Sequence, residues 1–315
     1  MARVLLSVIL LSAACHSAPR GTATATDVSA MVPADLSAFF DCLRETGTTV
    51  VAAHRGGPVP GYAENAIETF AYTVRRVPAL LEIDIASTSD DVLVLMHDDT
   101  LERTTTGTGE VQARRLVEIK TLYLKDENGA VLSSRAPTLR EALDWAAGKA
   151  ILELDVKRGV AYESVIEEVR AAGAMARVVF ITYSEAAAIR VHRLAPDMML
   201  SVSIDEVEDL DRLVDAGVDL SRVLAWTGIE RVDAELYRAL AARGVESMFG
   251  TLGRPDSSWD GRFAREGRDR YAEFAKTGLQ LISTDRTIQA ARDLDRHDGV
   301  DGVAAMRCVG TIGPR

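Results

Sequence analysis

Nine apolar runs of strand length recur between residues 49 and 283, and most are continuous rather than alternating. They fall at Thr49–Ala53, Leu80–Ile85, Val92–Met96, Ala150–Val156, Val178–Thr182, Met199–Ser203, Val223–Trp226, Val245–Phe249 and Leu279–Ser283. An unbroken apolar run is what a strand covered on both faces requires, so the pattern points to a parallel sheet wrapped by helices. Helical patterns lie between most of the runs. Ile67, Phe70, Val74 and Val77 keep helical spacing, and Thr138-x-x-Glu141 is a capping-box match for a helix ending near Gly148. Tyr162, Val165, Ile166 and Val169 form another stripe, closed by Gly173. The same helix–glycine–strand grammar recurs at Asp215–Gly217, Arg243-Gly244 and Thr277-Gly278. No compositional break interrupts it, so residues 35–315 are expected to form one α/β domain, a (β/α)8 TIM barrel. Nine runs exceed eight strands by one. Only six residues separate Ile85 from Val92, too few for a helical crossover, so one run is expected to be auxiliary. Residues 107–136 carry no strong period and contain the hairpin-like turn Asp126-Glu127-Asn128-Gly129. They are expected to be a small insertion over the active-site end.

The N-terminus reads as a targeting segment. Arg3 precedes the apolar run Val4–Leu11, which is too short to span a bilayer as a helix, and Ser12-Ala13-Ala14-Cys15 follows. The arrangement resembles a bacterial lipoprotein signal, with residues 1–14 removed and Cys15 lipidated. Ser12 stands where that pattern usually has Leu, so ordinary secretion after cleavage at Ala14 is the alternative. Residues 15–34, small and polar, are expected to be a flexible tether. The expected location is periplasmic or at the cell surface, with the protein held to a bacterial membrane by its lipid anchor. Lipidation of Cys15 would leave Cys42 and Cys308 as an even pair in an oxidising compartment. A closed barrel brings its chain ends together, so they are either bridged or two partly buried thiols. The formal charge is −11, from 36 Lys and Arg against 47 Asp and Glu. Such a chain offers no basic face to displace the counterions of duplex nucleic acid, which is therefore not an expected partner. No signal for a protein partner is evident.

Chemistry concentrates at strand ends. His54 closes the first run and is followed by Arg55-Gly56-Gly57, while His97 closes the run Val92–Met96 and is followed by Asp98-Asp99. A β/α barrel gathers its active site at the C-terminal ends of its strands, so both imidazoles are expected in one mouth. Glu82 and Asp84 lie two apart in an apolar strand and share one face, as do Glu153, Asp155 and Lys157. Carboxylates inside apolar strands are costly unless paired or bound to metal. One reading is an ion-pair network with Arg55 and Lys157. The other is a hard-cation site, because oxygen donors without thiolates suit Mg²⁺ or Ca²⁺. Trp226 and Phe249 close strands and are candidates for lining an alcohol pocket. Trp259 reads as a loop anchor, and Asp285 as an N-cap of the last helix.

Taken in order, several motifs resemble the glycerophosphodiester phosphodiesterase family. They are His54-Arg55-Gly56, Glu64-Asn65, Glu82-Ile83-Asp84, His97-Asp98, Arg103-Thr104-Thr105-x-Gly107-x-Gly109, Pro137-Thr138-Leu139, Glu153 and a closing Thr284-Asp285. The resemblance implies a TIM barrel that hydrolyses glycerophosphodiesters to sn-glycerol 3-phosphate and an alcohol. It implies one divalent cation on Glu82, Asp84 and Glu153, an acid–base pair in His54 and His97, and Arg55 on the phosphate. The family usually has Lys two residues after its third metal carboxylate. Here Asp155 occupies that place after Glu153, so Lys157 would reach the phosphate from a different height, or Asp155 would join the metal shell. A phospholipase-D-like relative acting on intact lipids and a non-catalytic binding lipoprotein on the same barrel are the competing expectations.

Overall fold

A computed structural model describes residues 31–298 and 304–310. Residues 1–30, which hold the expected signal segment, Cys15 and most of the tether, lie outside the described residues.

All nine apolar runs are strands: β1 Val50–Ala53, β2 Ala79–Ser87, β3 Leu93–Leu95, β4 Leu152–Val156, β5 Val178–Thr182, β6 Met199–Ser203, β7 Val223–Trp226, β8 Glu246–Gly250 and β9 Leu281–Thr284. Eight are parallel neighbours in the order β1-β2-β4-β5-β6-β7-β8-β9, and β9 pairs back to β1 to close the barrel. The auxiliary strand is β3. It turns back antiparallel along the extension of β2, matching Ser87 to Leu93 and Ile85 to Leu95. That extension is possible because β1 ends opposite Leu81 and leaves the upper edge of β2 unpaired.

Two layers of apolar residues hold the barrel together. One surrounds the strands from outside, where Phe70, Leu143, Val169, Val191 and Leu240 from the helices bury against outward strand residues such as Leu81, Leu154 and Phe180. The expected capping box is present: the Thr138 side chain accepts from Glu141 N, and the Glu141 carboxylate accepts from Thr138 N. The other layer fills the barrel's lower interior with Leu80, Ile151, Val179, Met199, Leu224 and Leu281, and helix Leu36–Thr46 closes it with Phe39, Phe40 and Leu43. Alternating strand residues therefore point into a packed floor rather than a pore. Arg44 of the closing helix forms an ion pair with the buried Glu246 of β8.

Residues 107–136, the expected insertion, pack on the β1–β2 loop and on β3 in a small apolar cluster. Val111, Ile119 and Leu124 pack with Ala63, Met96 and Leu101. Asp126 organises the expected turn by accepting from Asn128 N and Ala130 N, and its second oxygen accepts from Gly61 N of the β1–β2 loop.

Cys42 and Cys308 are joined by a disulfide across 266 residues, tying the floor helix to the C-terminal helix Ala304–Val309. Replacing both cysteines with serine is expected to lower the unfolding free energy by about 2–4 kcal/mol, because the unfolded chain regains the entropy of an open loop. A denaturant midpoint equal to that of the parent would show that the bridge adds nothing. The mouth is at the opposite end of the barrel, so catalytic parameters should not change.

Candidate active site

The mouth is built on inward-facing positions of β1, β2 and β4. In β2 and β4 the paired residues are Glu82 with Glu153, and Asp84 with Asp155. Two tiers of carboxyls thus face the barrel axis, and all four are buried. The upper tier is where charge is compensated. Lys157 Nζ lies 2.5 Å from Asp84 Oδ1 and 2.5 Å from Asp155 Oδ2. Asn65 clamps Asp84 twice, donating Nδ2 to Oδ2 at 2.6 Å and accepting the Asp84 amide at 2.9 Å. Burial alone would raise the Asp84 pKa, but Lys157, His97 and these hydrogen bonds outweigh it and hold the group below the ordinary carboxylate range.

The lower tier is not compensated. Burial first, and then the neighbouring Asp84 charge, push Glu82 well above the ordinary range, although its Oε2 accepts from the Arg55 amide at 2.6 Å. Burial, followed by the Asp155 charge, pushes Glu153 up to about 8. Both Glu153 oxygens lack a hydrogen-bond partner, and the residue is 0% exposed.

Backbone strain places the first strand's motif. Arg55 has φ 52°, unusual for a residue with a Cβ, and this turns its N–H onto Glu82. Gly56 follows at φ 81°, where a Cβ would meet the Phe70 ring at 2.3 Å, so glycine is required there. The Arg55 guanidinium binds Glu64 at 3.1 Å and lies 3.9 Å from Asp84, with its buried Nε unpartnered. Glu64 also binds Arg103, and Arg103 binds Asp98 at 2.6 Å. The Glu64-Asn65 turn and the Arg103 loop therefore serve one network that runs from Arg55 through Asp98 to His97.

Both histidines reach this site, by different routes. His54 follows β1 directly and borders the cavity with Glu82, Glu153 and Asp155. The expectation that His97 ends a barrel strand needs correction, because β3 is antiparallel to the barrel. His97 arrives because β3 runs back down β2, with Met96 N bonded to Asp84 O, and the residue ends close enough to Asp84 to lower its pKa. Each imidazole is bound through Nδ1 to a carboxylate: His54 to Asp285 at 2.6 Å and His97 to Asp98 at 2.8 Å. A carboxylate only accepts, so the pairing puts the proton on Nδ1 and leaves Nε2 for a ligand. Asp98 is held down at about 2, chiefly by its Arg103 hydrogen bond against the opposing effect of burial.

Two residues depart from the sequence reading. Asp285 does not cap the last helix. Its oxygens go to His54 and to Gly253 N, and its own amide donates to the buried Asp260. For Glu153, expected as the third metal carboxylate, the geometry favours Asp155, the alternative that the sequence leaves open. Glu82, Asp84 and Asp155 each offer an oxygen within 4.8 Å of one another, an acidic triad able to hold a cation, and Glu153 is not in that group. The donors are all hard oxygens, and Asp155 Oδ1 is buried without a partner, so the set fits a divalent ion. Lys157 then follows the third carboxylate by two residues, the spacing that the resemblance implies, moved two places along β4. The signal for this was present in the sequence as the unbroken Asp-x-Lys pair.

Of the aromatic candidates, Trp226 borders the cavity. Phe249 instead faces outward into the helix-packed layer. Trp259 is an anchor, packing on Phe274 and donating Nε1 to Glu230 O.

A closed parallel barrel with an acidic triad and two histidine–carboxylate pairs at one mouth defines a TIM barrel equipped for a divalent cation. The sequence profile of the glycerophosphoryl diester phosphodiesterase family matches residues 54–250, and the chain belongs to that family. A crystal structure of a glycerophosphoryl diester phosphodiesterase from Parabacteroides distasonis is 30% identical, with a TM-score of 0.74 over 86% of this chain and 94% of that one. A Bacillus subtilis glycerophosphodiester phosphodiesterase is 26% identical over 191 residues, which are 54% of this chain and 64% of the relative's length. The chain thus aligns with somewhat less than two thirds of that protein. An Oleispira antarctica phosphodiesterase, solved in complex with the product sn-glycerol-3-phosphate, shares the fold at 19% identity, with a TM-score of 0.61 over 80% of this chain and 99% of that one.

Protonation of Glu153 makes stability depend on pH. Its carboxyl titrates near 4.5 in an ordinary environment and at about 8 when folded, so over that interval the folded chain binds more protons than the unfolded one. Stability then falls as pH rises between those values. Glu153→Gln cannot titrate. With a chelator present, its stability relative to the parent should grow by on the order of 3 kcal/mol from about pH 5 to pH 8. Parallel denaturation curves for the two proteins across that range would contradict the assignment.

Proposed function

We propose that this protein hydrolyses glycerophosphodiesters to sn-glycerol 3-phosphate and an alcohol. The observation that carries the reading is the convergence on one mouth of the acidic triad, Lys157, Arg55 and two imidazoles with free Nε2 atoms. Family membership supports it, as does the name of the Bacillus relative.

Glu82, Asp84 and Asp155 would hold the divalent cation, Mg²⁺ or Ca²⁺, which when bound supplies charge neutralisation for a phosphodiester. Arg55, with its buried and unpartnered Nε, and Lys157 are the cations placed to bind phosphate oxygens. One histidine takes the proton of the attacking hydroxyl, and the other gives a proton to the departing alkoxide. Asp285 and Asp98 fix the tautomer and ring orientation that each transfer needs, and they stabilise the imidazolium when it forms.

Glycerol 3-phosphate release from glycerophosphocholine, glycerophosphoethanolamine and glycerophosphoglycerol tests the reading, using protein that lacks residues 1–15. Release should stop with EDTA and return with one added cation. His54→Ala and His97→Ala should each lose at least about a thousandfold in turnover while remaining folded, and Asp285→Asn about ten- to a hundredfold. Cation-independent release, or near-normal activity in either histidine variant, would overturn the assignment.

We further propose export, with lipidation at Cys15. The Cys42–Cys308 bridge supports an oxidising destination. Labelled palmitate should be incorporated by the parent and not by Cys15→Ser, and equal labelling would exclude this anchor.

A further inference from the structure

We infer that Glu153, freed from the metal role by Asp155, reads the vicinal diol of the glycerol moiety and so selects a glycerol phosphate over other phosphate esters. The inference rests on the proposed substrate class and deepens it.

Glu153 faces the interior from β4, one inward position below Asp155, and it borders the same cavity as His54 and Glu82. Neither carboxyl oxygen has a hydrogen-bond partner, although the residue is fully buried. A buried polar group in a folded protein is ordinarily satisfied, and an orphan beside a ligand cavity is a group whose partner arrives with the ligand. The metal triad does not include it.

Its surroundings on the cavity wall describe the missing partner. Thr182 of β5 and Ser201 and Ser203 of β6 line the side away from β1, with Ile181, Trp226 and Met248 among them, and Ser283 lines the cavity from β9, beside β1. Beyond His54 and the carboxyls the cavity wall is hydroxyl and apolar, with no Lys or Arg in it, whereas Arg55 and Lys157 lie against Asp84. A phosphate therefore has its counter-charges at one side, and an uncharged polyol has donors and acceptors at the other. Adjacent hydroxyls supply O–H donors to Glu153 and accept from the serines. A ligand that carries phosphate on a plain alkyl chain would leave Glu153 unpartnered, and a site built to bind a hydroxyl discriminates strongly against the analogue that lacks it.

The test is calorimetric binding of glycerol 3-phosphate, ethyl phosphate and choline phosphate to the full-length protein in Mg²⁺, with Mg²⁺ affinity measured separately. The parent should bind glycerol 3-phosphate about ten- to a hundredfold more tightly than ethyl phosphate, the range for leaving a buried polar group without its partner. Glu153→Leu should bring the two within about threefold. Glu153→Gln, which keeps one acceptor, should fall between, and Mg²⁺ affinity should stay within about threefold of the parent in both. Four results would each overturn the inference: no preference in the parent, a preference that survives Glu153→Leu, a tenfold or larger loss of Mg²⁺ affinity in both variants, or a Glu153 effect confined to choline phosphate. Failure of the parent to hydrolyse any glycerophosphodiester, with the binding pattern intact, would remove the proposed activity and leave this inference standing.

Discussion

Four buried carboxyl groups face inward from two adjacent strands of the barrel, and the cost of that arrangement organises the rest of the mouth. Left alone, Asp84 and Asp155 would repel each other in a poorly screened interior. Lys157 bridges them, Asn65 holds Asp84 in place, and the strained Arg55 backbone turns an amide onto Glu82. Each of these devices comes from a motif whose sequence pattern carries no structural rationale by itself. The left-handed Arg55 and the glycine behind it are the clearest case, because the backbone accepts strain so that a buried carboxyl can receive a hydrogen bond.

The barrel was legible because its strands are buried on both faces and so read as apolar runs, and three of the nine matched the structure residue for residue: β5, β6 and β7. The excess strand was also visible, since six residues do not make a crossover. What could not be read was direction. A run of five apolar residues carries no sign of whether it is parallel or antiparallel, so His97 was expected for the right place by the wrong route. The choice between Glu153 and Asp155 stayed open in the sequence for a related reason. Both lie on one face at a spacing of two, and only the register of β4 against β2 shows which tier meets Asp84. Asp285 was misread because an acid before a helix is usually a cap. Its pairing with His54 depends on β9 closing against β1, a contact between residues 231 apart.

The two ends of the barrel are built from opposite materials. The floor is Phe39, Phe40, Leu43 and the apolar strand starts, locked by a covalent bridge, and the mouth is charge and hydrogen bonds on short loops. Substitutions at the mouth can therefore alter charge without touching most of the apolar burial that stabilises the fold. The insertion at residues 107–136 follows the same division. Its small core of Val111, Ile119 and Leu124 takes in Ala86 of β2 and Val94 of β3, so the segment is anchored on the strand extension rather than in the main barrel core.

Helix Leu36–Thr46 carries a directional consequence. It packs beneath the strand starts, so the described chain enters the barrel at the face opposite the mouth. Any attachment made through that end therefore begins on the far side from the acidic triad.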